Sequence, residues 1–120
     1  MRSTPEPEAD ALFEIRTGTS LGAVVIDVVG EVDMATAPQL AAALDPSRYT
    51  AERVVVNLSD VSFIDSSGLN ALVAHARDLT KQGVTLMIVS PTSSHVRRVF
   101  EMTHLTEALG VVDTLDAALR

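Results

Sequence analysis

Four consecutive residues near the middle of the chain have the side chains best suited to chemistry: Asp65-Ser66-Ser67-Gly68. An apolar, β-branched run precedes them and an amphipathic helical pattern follows, so they are predicted to lie at a helix N-terminus. Backbone N–H groups are unpaired there, and the helix end carries a partial positive charge. The simplest interpretation is a helix cap, since Asp and Ser are both preferred at that position. If Asp65 is the cap, two hydroxyls remain, and a phosphate on Ser66 would be favoured at such a helix end.

Gly68 and two further residues are candidates for the same surface. Gly68 has no side chain, which leaves room for a partner or a phosphate to approach. Asp33 follows a predicted strand, as Asp65 does, and the loops at one end of parallel strands gather on one side of a sheet. We therefore expect Asp33 near Ser66, the alternative being an ordinary solvated turn residue. Asn70, on the polar face of the predicted helix, completes the candidate partner-binding set.

The residues around the two serines argue against a catalytic nucleophile. The nucleophile elbow needs Gly two residues before and two after the serine. The earlier position holds Ile64 for Ser66 and Asp65 for Ser67. The three histidines fall in different predicted elements: His75, His95 and His104. The sequence therefore predicts a protein that is not an enzyme and has no catalytic residue.

Metal and nucleotide sites are not indicated either. No two histidines have the i, i+4 spacing of a helical zinc site, and no acidic cluster has calcium-loop spacing. The phosphate-binding loop and the dinucleotide fingerprint are both missing from the sequence. We expect no metal and no cofactor. His75, on the flank of its helix, is expected to be partly exposed and unliganded.

Charge and composition narrow the range of partners. The 120 residues include 9 Lys and Arg against 16 Asp and Glu, a net charge of -7. Nucleic acids and anionic membranes both require cationic surfaces, so neither is an expected partner. The chain has no cysteine, and no apolar run approaches the roughly 20 residues of a membrane helix. A cytoplasmic location is expected.

Hydrophobic periodicity predicts an α/β fold. The predicted elements are, in order, a strand at Leu12–Thr17, a turn at 18–22, a strand at Ala23–Val29, a helix beginning at Thr36, a strand at Arg53–Leu58, a helix over 67–82, a strand at Val84–Val89, a helix after Ser93 or Ser94, a short strand within 108–112 and a helix after Asp113 or Thr114. Strands that alternate with helices imply parallel crossovers. The predicted fold class is therefore α/β with a mixed β-sheet, an N-terminal hairpin followed by parallel strands, with helices. Residues 1–10 are predicted to form a flexible acidic tail, and 11–120 a single domain.

Some local expectations follow from residue type. Residues 30–33 are expected to leave the sheet before the first helix. Thr36 is expected to cap that helix, with Gln39 reaching back as in a capping box. In the third predicted helix, Arg97 and Arg98 are expected on the solvated face.

Three segments together resemble the STAS-domain anti-sigma factor antagonist family, also called anti-anti-sigma factors. They are Phe63-Ile64-Asp65-Ser66-Ser67-Gly68-Leu69 with the preceding Asn57-Leu58-Ser59-Asp60-Val61, the earlier Gly30-Glu31-Val32-Asp33, and Ser90-Pro91 with Val96 to Thr103. The resemblance spans about Leu12 to Leu119. One departure is His104, because the family often has Gly at the end of this helix, where a left-handed conformation is common.

The resemblance implies a switch in protein interactions. In this family the unmodified domain binds an anti-sigma factor that is also a serine kinase, and this frees a sigma factor for transcription. The kinase phosphorylates the serine directly after the Asp, here Ser66, and a phosphatase reverses the reaction. The alternative is a constitutive interaction or scaffold subunit with the same fold and no phospho-switch.

Overall fold

The computed structural model describes residues 13–120, in which five strands form one mixed sheet with the order β1-β2-β3-β4-β5. The strands are β1 Glu14–Ser20, β2 Ala23–Val32, β3 Arg53–Ile64, β4 Thr85–Val89 and β5 Val111–Val112. β1 runs antiparallel to β2, and the other neighbouring pairs are parallel. The predicted fold class is confirmed. The predicted acidic tail at residues 1–10 lies outside the described residues.

Four helices in the described part of the chain cover the sheet unequally. They are α1 Ala37–Ala43, α2 Ser66–Lys81, α3 His95–Met102 and α4 Leu115–Leu119, with a 3-10 turn at Pro46–Arg48. The main core joins one face of the sheet to α1, α2 and α3, through fully buried side chains such as Leu40, Leu72 and Phe100. A smaller cluster on the opposite face packs Ala118 of α4 against β2, β3 and β4. Helices with an apolar face of period 3.6, packed on strands rich in β-branched residues, thus account for the core on each face of the sheet.

The hairpin turn is tighter than the predicted segment 18–22. Only Leu21 and Gly22 connect β1 to β2, and their φ angles are 50° and 82°. A two-residue hairpin loop with positive φ at both positions matches the right-handed twist of the strands. The prediction was wrong because Gly18 lies within β1, where it pairs with Val25.

Two strands continue beyond their predicted ends. β2 reaches Val32 and β3 reaches Ile64, so the expectation that residues 30–33 leave the sheet was wrong. Register shifts interrupt their pairing near Val29 and Glu31. The Asn57 side chain accepts a hydrogen bond from the backbone N–H of Ser59 at 3.1 Å. Such bulge-like irregularities break the two-residue alternation from which strands are recognised.

α1 begins where predicted but for a different reason. Its Thr36 accepts no capping hydrogen bond from the first helical turn, and the capping box with Gln39 does not form. Instead the Thr36 hydroxyl donates to the carbonyl oxygen of Glu31 at 2.8 Å. The turn before the helix is held by Asp33, as described below.

Arg97 does not lie on a solvated face as predicted. Its side chain is only 13% exposed. Its Nη1 donates to the Ser90 carbonyl and to Asp113 Oδ1, both at 2.7 Å. Arg97 therefore ties the start of α3 to the segment after β5, whereas Arg98 is exposed as expected.

Candidate functional site

The candidate residues lie where β2 and β3 end side by side. Val32 pairs with Ile64, and the backbone N–H of Asp65 donates to the Val32 carbonyl at 3.1 Å. Adjacent strands are about 4.8 Å apart. Asp33, the residue after Val32, and the start of α2 therefore share one edge of the sheet, as the sequence predicted.

Asp65 is the N-cap of α2. Its Oδ1 accepts the backbone N–H groups of Ser67 at 2.8 Å and Gly68 at 3.2 Å. A carboxylate at this position also interacts favourably with the helix dipole. One consequence corrects an expectation: these two N–H groups are already bonded, so a phosphate on Ser66 would not find them free.

The two serines differ in accessibility. Ser66 is the first residue of α2 and is exposed, whereas Ser67 is half-buried. Within residues 13–120, neither hydroxyl makes a hydrogen bond. Asn70 lies one helical turn after Ser66 and is also exposed, so the two share a face of α2. Ser66 is therefore the more accessible of the two serines.

Gly68 is buried, which overturns the suggestion that it leaves room for a partner or a phosphate. A Cβ at this position would lie 2.6 Å from Cγ1 of Val32 and 2.7 Å from Cγ1 of Ile64. Real Cβ atoms do not approach other carbons so closely. Gly68 thus allows the first turn of α2 to pack directly on the ends of β2 and β3.

Asp33 is half-buried and organises the turn before α1. Its Oδ1 accepts the backbone N–H groups of Ala35 at 2.9 Å and Thr36 at 3.1 Å. Its own N–H donates to the Thr36 hydroxyl at 2.9 Å. This is the hydrogen-bonded turn typical of Asp, and it holds the carboxylate in place beside α2.

Exposed apolar side chains flank these residues, and their exposure was not predicted from the sequence. Phe63 is 40% exposed and Met34 is 78% exposed. The Phe63 ring stacks on His95, the first residue of α3, with 6.0 Å between ring centroids and an interplanar angle of 7°. After Asn57, β3 buries every third residue, namely Leu58, Val61 and Ile64, and this phase alone would have placed Phe63 outside.

Three further observations on the described part of the chain concern metal binding, His75 and membrane-spanning helices. Residues 13–120 contain no group of three His, Cys, Asp or Glu side chains able to hold a metal ion. His75 is half-buried, and its Nδ1 lies 2.9 Å from the Ala71 carbonyl oxygen, so the predicted partial exposure is confirmed. No helix over the same range is long and apolar enough to cross a membrane.

Comparisons with known proteins agree on one family. The family model described as STAS domain matches residues 14–118. An anti-sigma-B factor antagonist of Staphylococcus aureus is 35% identical over 100 residues, which cover 82% of this chain and 92% of that protein.

Solved structures give the same result. An anti-sigma factor antagonist from Mycobacterium paratuberculosis has a TM-score of 0.80 and 31% identity, covering 89% of this chain and 91% of the other. The anti-sigma factor antagonist SpoIIAA in its unphosphorylated form has a TM-score of 0.67 and 25% identity, covering 89% and 92%. These relatives are regulatory proteins and not enzymes. The chain therefore belongs to the STAS-domain family of anti-sigma factor antagonists.

Proposed function

We propose that this protein binds an anti-sigma factor that is also a serine kinase and thereby releases a sigma factor in the cytoplasm. Phosphorylation of Ser66 by that kinase ends the interaction, and a phosphoserine phosphatase restores it. The edge formed by the ends of β2 and β3 and the N-terminus of α2 is the binding surface. No cofactor takes part.

The observation that carries the proposal is that Asp65 and Ser66 have separate roles at the start of α2. Asp65 supplies the helix cap through its contacts with Ser67 and Gly68. Ser66 is exposed, and within the described residues its hydroxyl makes no hydrogen bond. The fold therefore does not depend on this hydroxyl, which is free to be modified.

A phosphate at this position would act through its charge. It adds about -1.5 to -2 units at neutral pH. Because Asp65 Oδ1 already accepts the nearest helix N–H groups, the phosphate would extend toward solvent or a bound partner. A like-charge contact near 4 Å at an effective dielectric of about 20 is worth about 4 kcal/mol. Weakening a complex a hundredfold requires about 2.8 kcal/mol, so one such contact is sufficient without refolding.

The apolar side chains beside Ser66 supply binding area for the unphosphorylated state. Phe63 and Met34 are exposed, and Phe63 is held against His95. Aromatic residues and Met are enriched at protein interfaces. We expect a partner to cover these side chains together with Asp33, Ser67 and Asn70, so that a phosphate on Ser66 would lie inside the contact. Gly68 supports this surface from below.

The test is phosphorylation by the anti-sigma factor kinase of the same organism, with ATP, followed by mass-spectrometric mapping. In the wild type and in the Ser67→Ala variant, phosphate is expected on Ser66. In the Ser66→Ala variant, no serine is expected to carry phosphate. Phosphate on Ser67, or none at all, overturns the phospho-switch.

The same samples distinguish the alternative of a constitutive scaffold subunit. For a switch, Ser66→Asp weakens binding to the kinase in isothermal titration calorimetry, although one carboxylate imitates a phosphate incompletely. For a constitutive subunit, Ser66→Asp binds its partner as wild type does. Ser47→Asp, the same substitution at an exposed serine of the 3-10 turn Pro46–Arg48, serves as the matched control.

A further inference from the structure

A groove of about 440 Å³ lies between the C-terminal half of α2 and residues 105–109, which follow α3. Its apolar lining consists of Val73, Ala76, Leu105, Ala108 and Leu109. Small-molecule pockets usually measure about 300–1,000 Å³, so the groove has room for a small ligand. The proposed switch does not use it: Arg77, on its rim, lies about 16 Å along α2 from Ser66, at 1.5 Å per residue.

The backbone on both sides keeps the groove open. Ala76 is buried in the middle of α2, and Ala108 faces it with an equally short side chain. After α3 the chain turns at His104, whose φ is 61°. The Leu109 N–H then donates to the Leu105 carbonyl at 3.0 Å, which closes one helical turn. The shape of the groove therefore follows from short side chains and fixed turns.

Two cations line one side of the groove. Arg77 and Lys81 lie four residues apart on α2, both exposed, and neither forms an ion pair with any residue from 13 to 120. Residues at this spacing are neighbours on a helix surface. These two cations lie beside an apolar floor, although the chain as a whole has a net charge of -7. An anionic head group at the cations and an alkyl tail along the floor would complement both features.

We propose that this groove binds a small amphiphilic anion, an unbranched alkyl chain ending in a carboxylate. The occupant is a small molecule because a stable protein interface uses about 20–30 residues on each side. The groove offers eight lining residues. The binding event goes beyond the proposed switch and does not depend on it.

The test is NMR titration of the isotope-labelled full chain with sodium decanoate below its micelle concentration. Backbone signals of Val73, Ala76, Leu105 and Leu109 are expected to shift, while those of Ser66 stay in place. Across hexanoate, octanoate and decanoate, each added methylene is expected to tighten binding about twofold to fourfold.

Two variants test the shape and the charge separately. Ala108→Phe fills the groove from an exposed position and is expected to weaken decanoate binding at least tenfold. The double variant Arg77→Glu, Lys81→Glu is expected to lose decanoate and to bind the decyltrimethylammonium cation, which wild type does not bind. Arg98→Glu, an exposed change on α3, is the charge control and keeps wild-type affinity.

Four outcomes overturn the proposal. Three of them are the absence of shifts at the groove residues, equal binding of the anionic and cationic probes by wild type, and full decanoate affinity in Ala108→Phe. The fourth is a shift of the groove signals with protein concentration alone, which would identify a second copy of the chain as the occupant. Ser66→Ala is expected to bind decanoate normally. Failure of decanoate binding would therefore leave the phospho-switch proposal unaffected, and failure of the phospho-switch would leave the groove proposal unaffected.

Discussion

Oδ1 of Asp65 lies 2.8 Å from the backbone nitrogen of Ser67, and this hydrogen bond caps α2. The same oxygen accepts the N–H of Gly68 at 3.2 Å. Because one carboxylate satisfies both groups, α2 starts without help from either serine hydroxyl. The helix cap and the proposed phosphorylation site are therefore adjacent but separate residues.

Replacing Asp65 should remove the cap. We expect Asp65→Ala to lower the free energy of unfolding by about 0.5–2 kcal/mol, since two backbone N–H groups lose their acceptor. Urea denaturation followed by circular dichroism measures this. Asp65→Asn, whose amide oxygen accepts the same bonds, is the matched control and should lose much less. An unchanged urea midpoint for Asp65→Ala would show that the cap does not stabilise α2.

Adding a methyl group at Gly68 should strain the packing of α2 on the sheet. A Cβ there would lie 2.6 Å from Cγ1 of Val32. We expect Gly68→Ala to destabilise the fold by about 1–3 kcal/mol, the usual cost of overpacking. Gly18→Ala is the control, because a Cβ at Gly18 has no atom within 4 Å in the described structure. Equal thermal midpoints for the two variants would contradict the close packing.

His104 adopts a conformation that favours glycine. Its φ is 61°, and it follows Thr103, the C-cap of α3. A left-handed conformation costs a residue with a side chain roughly 1–2 kcal/mol. Glycine avoids this cost, but its unfolded chain has more conformational entropy to lose on folding, which offsets part of the gain. We expect His104→Gly to raise the free energy of unfolding by about 0.5–1 kcal/mol. His104→Ala keeps the Cβ and should show no gain, so a similar rise in both variants would refute the conformational explanation.

The contact between Asp113 and its neighbours should make stability depend on pH. A hydrogen bond from Thr92, and then the Arg97 guanidinium, hold the pKa of Asp113 below its ordinary value of 3.8. A carboxyl with a depressed pKa in the folded state adds stability above the ordinary value, and this is lost as pH falls through the folded-state pKa. We expect Asp113→Asn to be less stable than wild type at neutral pH.

The difference between wild type and Asp113→Asn should shrink as the pH falls below 3.8. Urea midpoints measured across that range test the sign. Asp116→Asn serves as the control, because both side chains of its pair with Arg120 are more than three-quarters exposed, whereas the Arg97 partner of Asp113 is only 13% exposed. A difference that stays constant down to the lowest pH would mean that the charge of Asp113 is not what stabilises this corner.

Local patterns predicted the elements far better than the contacts between them. The helical period from Leu69 to Leu79 gave α2 to within one residue at each end. The ends of β2 and β3 were missed because register shifts break the alternation that reveals a strand. Arg97 was assigned to solvent since its acceptors, Ser90 and Asp113, lie outside α3, 7 and 16 residues away in the sequence.

The same contrast holds for the candidate site, where local features were predicted and contacts between elements were not. Asp65 as the cap and Asp33 as its neighbour follow from rules about helix starts and strand ends, and both were predicted. The role of Gly68 depends on which side chains lie beneath it, and sequence does not contain that information. Phe63 is exposed in a part of β3 where every third residue is buried, and the two-residue alternation expected of a strand does not predict that spacing. The limit of the domain near residue 11 stays a prediction.

The phospho-switch is tested most directly by one pair of affinities, measured for the anti-sigma factor kinase against this protein before and after stoichiometric phosphorylation. We predict phosphate on Ser66 and binding at least about a hundredfold weaker, equivalent to about 2.8 kcal/mol. The fold should persist, with Asp65 still capping α2. Phosphorylation at Ser66 that leaves the affinity unchanged would show that this phosphate does not control binding of the kinase.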